Sequence, residues 1–154
     1  MKRLNLLYEK LTSLDGIEIP EDIEKLSLSN NNLTELYLDE RFKNIKILTV
    51  FDNNLTQIKG DPSNLEILNC SDNQITTLEG LNIPNLKTLN CSNNQLTTLD
   101  GLDTSNLESL YCQHNQLTTL NSLYAPKLKN LFCSNNQLTT LNGLDTSNLE
   151  ILNC

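Results

Sequence analysis

The chain has 154 residues, a net charge of −8 and an isoelectric point near 4.5. This length suits one domain, and the acidic excess argues against nucleic acid or an anionic membrane as the partner, because both attract basic surfaces. No apolar run approaches the roughly 18 residues of a transmembrane helix. Charged residues also come too early in the chain for a signal peptide, so we expect a cytoplasmic protein.

A repeat of 20 to 22 residues runs through the whole chain. Leucine occurs 33 times and asparagine 24 times, a bias that indicates internal repetition. Seven coils begin near residues 1, 23, 45, 65, 86, 107 and 128, and a partial eighth begins at 149. The unit reads L-x-x-L-x-C-x-x-N-x-L, as in residues 65–75. We therefore treat residues 1–154 as a single repeat domain.

Each coil is predicted to contain one short strand followed by a return path. The alternation at Leu68, Asn69 and Cys70 is typical of a strand that points in, out and in. Stacked coils place these strands side by side in a parallel sheet. The roughly ten residues left for the return path are too few for a long helix, which favours extended or 3₁₀ structure there.

This unit resembles the leucine-rich repeat family, whose core reads L-x-x-L-x-L-x-x-N-x-L. The 21-residue spacing and the tail T-T-L-x-G-L, at residues 97–102, are most similar to bacterial internalin-like repeats, which giant viruses also carry. The resemblance implies a right-handed solenoid with one parallel strand per coil on its concave face. It also implies a non-enzymatic protein that binds a protein partner on that face.

A column of charges supports the register of the coils. The residue after each opening apolar position alternates in sign through all eight coils: Lys2, Glu24, Lys46, Glu66, Lys87, Glu108, Lys129 and Glu150. Neighbouring strands lie about 4.8 Å apart, so each charge is expected beside opposite charges. We interpret the column as a structural ladder.

Two further columns also have structural interpretations. Cysteine occupies the inward position held by Leu or Val in the first three coils, at Cys70, Cys91, Cys112, Cys133 and Cys154. We expect buried free thiols, with a disulfide between coils and a metal site as alternatives; Cys154, at the last position, could form an intermolecular disulfide. Asparagine recurs three residues later, at Asn31, Asn53, Asn73, Asn94, Asn115 and Asn136, where its side chain can bond the turning backbone.

Nothing in the sequence predicts catalysis, a cofactor or a metal. Cys112 and His114 offer a nucleophile and a base, but strand alternation places the first in the core and the second beyond the strand. There is no C-x-x-C pair, phosphate-binding glycine loop or P-loop. We therefore expect no catalytic, cofactor-binding or metal-binding residues.

Two threonine rows leave one alternative function open. One row recurs in every coil and a second in the later coils: Thr12, Thr34, Thr56, Thr76, Thr97, Thr118, Thr139, and Thr77, Thr98, Thr119, Thr140. Regular hydroxyls on a solenoid resemble ice-binding surfaces. However, adjacent threonines of an extended segment point to opposite sides, and local hydrogen bonds at loops are the alternative interpretation.

The predicted partner site is an irregularity on the concave face. The fifth position of each coil is small and polar except for Tyr111 and Phe132, aromatic residues of the kind that anchor interfaces. Gln113 and His114 lie beside this pair, and Phe51 occupies the seventh position two to three coils away. The alternative is that the two rings only pair across strands and stabilise the sheet.

The last coil offers a second possibility, a homo-oligomer. The chain ends within a strand, so Leu138, Leu141 and Leu144 are expected to be only partly covered. A structural or self-assembling array, joined through this C-terminal end, is therefore the alternative to a protein-binding module.

Overall fold

The computed structural model describes residues 1–145 and 147–154 as a parallel-strand solenoid of about seven turns. One three-residue strand from each coil enters an eight-stranded sheet whose order follows the chain. These strands are β1 (Arg3–Asn5), β2 (Lys25–Ser27), β4 (Ile47–Thr49), β6 (Ile67–Asn69), β7 (Thr88–Asn90), β8 (Ser109–Tyr111), β9 (Asn130–Phe132) and β10 (Ile151–Asn153). The predicted stack of one strand per coil is confirmed.

Neighbouring strands pair in register, which sorts their side chains into columns. Leu68, for example, pairs with Leu48 on one side and Leu89 on the other. The central residue of each inner strand is fully buried, and the residues on either side of it face outward and are half-buried: Leu26, Leu48, Leu68, Leu89, Leu110 and Leu131 form the buried column. We call the half-buried surface formed by the third, fifth and seventh positions of the coils the outward face.

The return path contains the predicted extended and 3₁₀ segments. Strands β3 (Glu35–Leu38) and β5 (Gln57–Gly60) form a second, two-stranded parallel sheet. A 3₁₀ helix, Glu40–Phe42, follows β3; the Asp39 carboxylate caps it by accepting the Arg41 N–H at 2.9 Å. Phe42 is fully buried and anchors this segment to the core.

Each strand is followed by a turn that needs a left-handed residue. The residue immediately before the asparagine column has φ between 53° and 58° in six successive coils: Asn30, Asp52, Asp72, Asn93, His114 and Asn135. Asn, Asp and His adopt this conformation more readily than other non-glycine residues. His114 therefore has a structural reason to occupy this column.

The asparagine column satisfies buried backbone, as predicted. The Nδ2 group of Asn94 donates to the carbonyl oxygens of Cys70 at 3.0 Å and Cys91 at 3.1 Å, and its Oδ1 accepts the N–H of Ile75 at 2.9 Å. The same contacts, to the turn of its own coil and to the preceding coil, recur for the other members: Asn31, Asn53, Asn73, Asn115 and Asn136.

A second asparagine ladder, which the sequence analysis missed, lies where each coil enters its strand. The Nδ2 group of Asn85 donates to the carbonyl oxygen of Ser63, in the preceding coil, at 2.8 Å. Four other asparagines make the equivalent bond at 2.8–3.0 Å: Asn44, Asn64, Asn106 and Asn148. The available signal was an asparagine directly before the opening apolar residue of these coils.

The charge ladder forms in part, as ion pairs on one side of each lysine in coils 3, 5 and 7. Lysine Nζ atoms meet the glutamate of the preceding coil in three pairs: Lys46–Glu24 at 2.6 Å, Lys87–Glu66 at 2.7 Å and Lys129–Glu108 at 3.5 Å. The bond from Lys87 lowers the pKa of Glu66, and the charge of Lys46 on its other side lowers it further. In coil 1 the prediction was wrong, because Lys2 pairs with Asp22 instead of Glu24.

The cysteine column divides into three thiols and one disulfide. Cys70, Cys91 and Cys112 are buried free thiols, and burial raises the pKa of Cys70 and Cys112 to about 12. Cys133 and Cys154 are joined, so the expectation of a buried free thiol was wrong for Cys133, and the disulfide of Cys154 lies between two coils of one chain instead of between molecules. Parallel pairing of β9 with β10 brings their Cα atoms to 4.5 Å, within the range that a disulfide bridges.

Candidate functional site

Four polar residues at the fifth position of the outward face, Ser27, Thr49, Asn69 and Asn90, are bonded to one another or to nearby backbone. Thr49 Oγ1 donates to Ser27 Oγ at 2.8 Å. The Asn69 side chain accepts the N–H of Ser71 at 3.1 Å, and the Asn90 side chain likewise accepts from Ser92. Some hydrogen-bond donors and acceptors of these side chains are therefore already paired within the protein.

Tyr111 and Phe132 interrupt this row with a stacked pair of rings. They are direct partners in the register of β8 and β9. Their ring centroids lie 4.9 Å apart and the planes differ by 11°. The predicted cross-strand pair is thus present, and both side chains remain partly exposed. Such aromatic pairs contribute about 0.5–1.5 kcal/mol beyond their burial.

The geometry of the stack decides which part of each ring can meet a partner. Because the centroid separation matches the spacing of the strands, the stacking axis runs across the sheet. The rings therefore turn a face toward each other and an edge away from the sheet. Aromatic edges carry partial positive charge, so this edge suits a carbonyl oxygen or the face of another aromatic ring.

Gln113 and His114 follow Tyr111 closely in the chain, just beyond the end of β8. The Oε1 atom of Gln113 is buried and accepts no hydrogen bond from the described residues. The His114 side chain is exposed, with Nε2 3.4 Å from Nδ2 of Asn135 in the next coil. An unpaired acceptor and an imidazole thus follow Tyr111 in the chain.

Phe51 is not brought to the same place. Its coil contributes β4, which lies three strands from β8 in the sheet order, a separation of roughly 14 Å at the usual strand spacing. Phe51 is half-buried. It can take part only in a contact that extends across several coils.

The arrangement around Cys112 and His114 is unsuited to nucleophilic catalysis. Cys112 is fully buried, and burial raises its pKa to about 12, so its thiol stays protonated near neutral pH. His114 is exposed beyond the end of the strand. In the part of the chain that the structure describes, no three His, Cys, Asp or Glu residues cluster as metal ligands would.

The threonine rows have the geometry of loop residues. In the second row each hydroxyl accepts the N–H two residues later at 3.0 Å, which closes a local turn: Thr77, Thr98, Thr119 and Thr140. The first row is exposed. Because the second row is occupied by its own turns, the geometry favours the loop interpretation over an ice-binding array.

Comparison with known proteins identifies the repeat. A family model described as Leucine Rich repeats (2 copies) matches residues 63–104 and again 105–146. A second model, described as Leucine Rich Repeat, matches residues 22–40. No curated protein matches the chain. Across the described residues, every helix is too short or too polar to cross a bilayer.

Proposed function

Because the chain belongs to the leucine-rich repeat family, we propose that it is a non-enzymatic module that binds another protein through the outward face of its sheet. Leucine-rich repeat domains generally mediate protein–protein interaction, and solenoids use their extended sheet surfaces for it. The observation that carries the proposal is the half-exposed stack of Tyr111 and Phe132. It is the one aromatic interruption of the fifth-position row.

The composition around the stack is typical of the centre of an interface. The third, fifth and seventh positions of coils 6 and 7 are uncharged: Ser109, Tyr111, Gln113, Asn130, Phe132 and Ser134. Interface centres are depleted in charge and enriched in aromatic residues, with polar groups around them. This patch therefore suits a partner that buries it from water.

The polar neighbours indicate what the partner supplies. Because Oε1 of Gln113 is buried, its side chain has to turn outward before this unpaired oxygen accepts a hydrogen bond from a partner N–H or O–H group. The ring edges receive a carbonyl oxygen or an aromatic face. His114 offers its exposed imidazole to the partner from the end of the strand. Phe51 contacts only a partner long enough to span three coils.

We expect the double variant Tyr111→Asn/Phe132→Asn to lose a protein that the wild type captures from a lysate of the source cells. Asparagine already occupies this column at Asn69 and Asn90, so the variant follows the repeat and should keep its circular dichroism spectrum. Losing two aromatic anchors at the centre of an interface costs about 2 kcal/mol or more, which weakens binding roughly thirtyfold. Quantitative mass spectrometry of the retained proteins provides the measurement.

Tyr124→Ala is the matched control for this experiment. Tyr124 is 72% exposed but lies on the return path, outside the outward face. A partner retained by wild type and by Tyr124→Ala but lost by the double variant supports the site. If all three proteins retain the same partner equally, the two rings only stabilise the sheet, and the proposed contact is contradicted.

A second proposal is assembly of two copies through β10. Ile151 and Leu152 are 49% and 51% exposed, whereas Leu131, which pairs with Leu152, is fully buried. Leu138 and Leu141 are half-covered as expected, but Leu144 is only 8% exposed. An open strand edge beside apolar side chains is a pairing surface for another strand.

This assembly predicts a mass that rises with concentration. Light scattering of the chain between about 10 μM and 1 mM, the range in which weak association constants lie, should show growth toward a dimer. Leu152→Lys places a charge on the exposed edge and should return the mass to that of a monomer. A monomer at every concentration would exclude assembly through β10.

A further inference from the structure

An open groove of about 400 Å³ separates the return path of coil 1 from strand β3. Residues 12–15 form one wall and residues 34–37 form the other, and Asp39 and Arg41 complete the lining. We call this space the coil 1 groove. It lies on the opposite part of the coil from the outward face and shares no residue with the site around Tyr111.

The β3 wall of the groove is an unpaired strand edge. Thr34, the residue before β3, accepts the N–H of Thr56 from the β5 side at 3.0 Å. Alternate residues of a parallel strand turn their backbone groups to the same neighbour, so Glu35 and Tyr37 turn theirs toward coil 1. Among the described residues, none donates to or accepts from the backbone of Glu35 or Tyr37.

Backbone pairing continues on the other side of this small sheet but stops at coil 1. Gln57 of β5 forms a further parallel bridge with Thr77 of the next coil. Between coil 1 and β3, the side chain of Arg41 makes the connection instead. Its Nη1 donates to the carbonyl oxygens of Leu14 at 3.1 Å and Ile17 at 3.3 Å. The guanidinium thus holds the two walls together while leaving the strand edge open.

The groove is acidic. Three carboxylates line it, at Asp15, Glu35 and Asp39, with Arg41 as the single cation. Arg41 is paired with Asp39, Nη2 to Oδ2 at 2.9 Å, and this pairing lowers the pKa of the Asp39 carboxyl. Among the described residues, no cation forms an ion pair with Asp15 or Glu35, although the charge of Arg41 reaches Asp15 and Glu35 Oε1 accepts a hydrogen bond from Gln57 Nε2 at 3.0 Å. Tyr37, 68% exposed, stands beside them.

We propose that the coil 1 groove binds an extended, basic peptide segment of a partner protein, which adds a third strand to the sheet of β3 and β5. Its main chain pairs with the free N–H and C=O groups of Glu35 and Tyr37, as in other cases of strand addition. Its lysine or arginine side chains meet the carboxylates of Asp15 and Glu35, and an apolar part lies against the Tyr37 ring. This interaction is independent of the one proposed for Tyr111 and Phe132.

Two acetylated hexapeptides of opposite charge test the proposal, one alternating valine with lysine and the other valine with glutamate. Titrated into ¹⁵N-labelled protein, the lysine peptide should shift the amide signals of Glu35 and Tyr37 and slow their hydrogen exchange. The glutamate peptide should leave both signals in place. Equal response to the two peptides, or no response at these two amides, would overturn the proposal. Shifts confined to β10 would instead indicate strand addition at the other open edge.

Substitutions at one position separate the main chain from the side chain. Tyr37→Pro removes the edge N–H, at the kind of strand position where proline is tolerated, and should weaken lysine-peptide binding about tenfold relative to Tyr37→Ala. Equal affinity of these two variants would contradict strand addition. If Tyr37→Pro loses the wild-type circular dichroism spectrum, the double variant Asp15→Asn/Glu35→Gln provides the test instead. It should reduce the affinity for the lysine peptide about tenfold at low salt. Unchanged affinity would overturn the proposal. Tyr111→Asn/Phe132→Asn should bind the peptide as wild type does.

Discussion

Replacing Asn94 with alanine should lower the free energy of unfolding by about 3–5 kcal/mol, because several buried backbone groups lose their partner at once. The Asn94 side chain is 8% exposed and donates to the carbonyl oxygens of Cys70, Cys91 and Ser92. It also accepts the N–H of Ile75. Urea unfolding followed by circular dichroism measures the loss.

Asn85→Ala is the matched control, since it belongs to the second asparagine ladder. Its side chain is exposed and makes one bond, to the carbonyl oxygen of Ser63. Water can replace that bond, so we expect a loss of about 1 kcal/mol or less. Equal losses of unfolding free energy in the two alanine variants would contradict the larger contribution that we assign to the Asn94 contacts.

Asn94→Asp extends the prediction to pH. The carboxylate keeps the acceptor facing Ile75 but loses both N–H donors and turns negative charge toward the carbonyl oxygens. Its pKa in the folded state is therefore raised above the unfolded value. The penalty of the variant relative to wild type should be smallest below the unfolded pKa and should grow as the pH rises through the folded pKa. A penalty independent of pH would contradict this account.

The features predicted correctly from sequence are those that recur once per coil. The strand at Leu68 and the contacts of Asn94 follow from columns that repeat at a nearly constant spacing. In a stacked solenoid this spacing sets the register, so each repeated residue meets its own equivalent in the next coil. The stacking of Tyr111 on Phe132 follows from the same rule.

Apart from the second asparagine ladder, which repeats in five coils, the features that were missed depend on departures from the repeat. Coil 1 lacks an equivalent of the β3–β5 pairing, so the open edge at Glu35 depends on how its return path curves and on Arg41 crossing between coils. Lys2 likewise selects Asp22, a residue outside the ladder column. Such contacts depend on the positions of side chains from loops of unequal length. A repeat pattern alone carries no information about them.

The Cys133–Cys154 pair illustrates a different limit. The column was correctly predicted to point inward, and three of its members are buried thiols. Sequence alone did not distinguish which neighbours are joined, because the column places each cysteine beside another one. Pairing occurs between β9 and β10, where Cys154 is exposed rather than enclosed by a further coil.

Gly60→Ala is expected to cost about 3 kcal/mol or more, since it combines backbone strain with a backbone collision. Gly60 has φ +125°, a conformation that side chains rarely adopt. A Cβ atom there would lie 2.9 Å from the carbonyl carbon and from the amide nitrogen of Leu38, and closer still to the carbonyl oxygen. These atoms belong to the paired strand β3, so β3 and β5 would have to separate. Thermal and urea unfolding measure the cost.

Gly101→Ala isolates the conformational part of this cost. Gly101 has φ +85°, but no atom lies within 4 Å of the position its Cβ would take. We expect about 1–2 kcal/mol for the left-handed conformation alone. The difference in unfolding free energy between the two variants then gives the cost of the collision between a Cβ at position 60 and the Leu38 backbone. Leu38 ends strand β3, which also forms a wall of the coil 1 groove. We therefore expect Gly60→Ala to weaken the binding of the lysine peptide, and Gly101→Ala to leave that binding unchanged. Similar losses of stability in both variants would mean that β3 moves away from Gly60 at little cost.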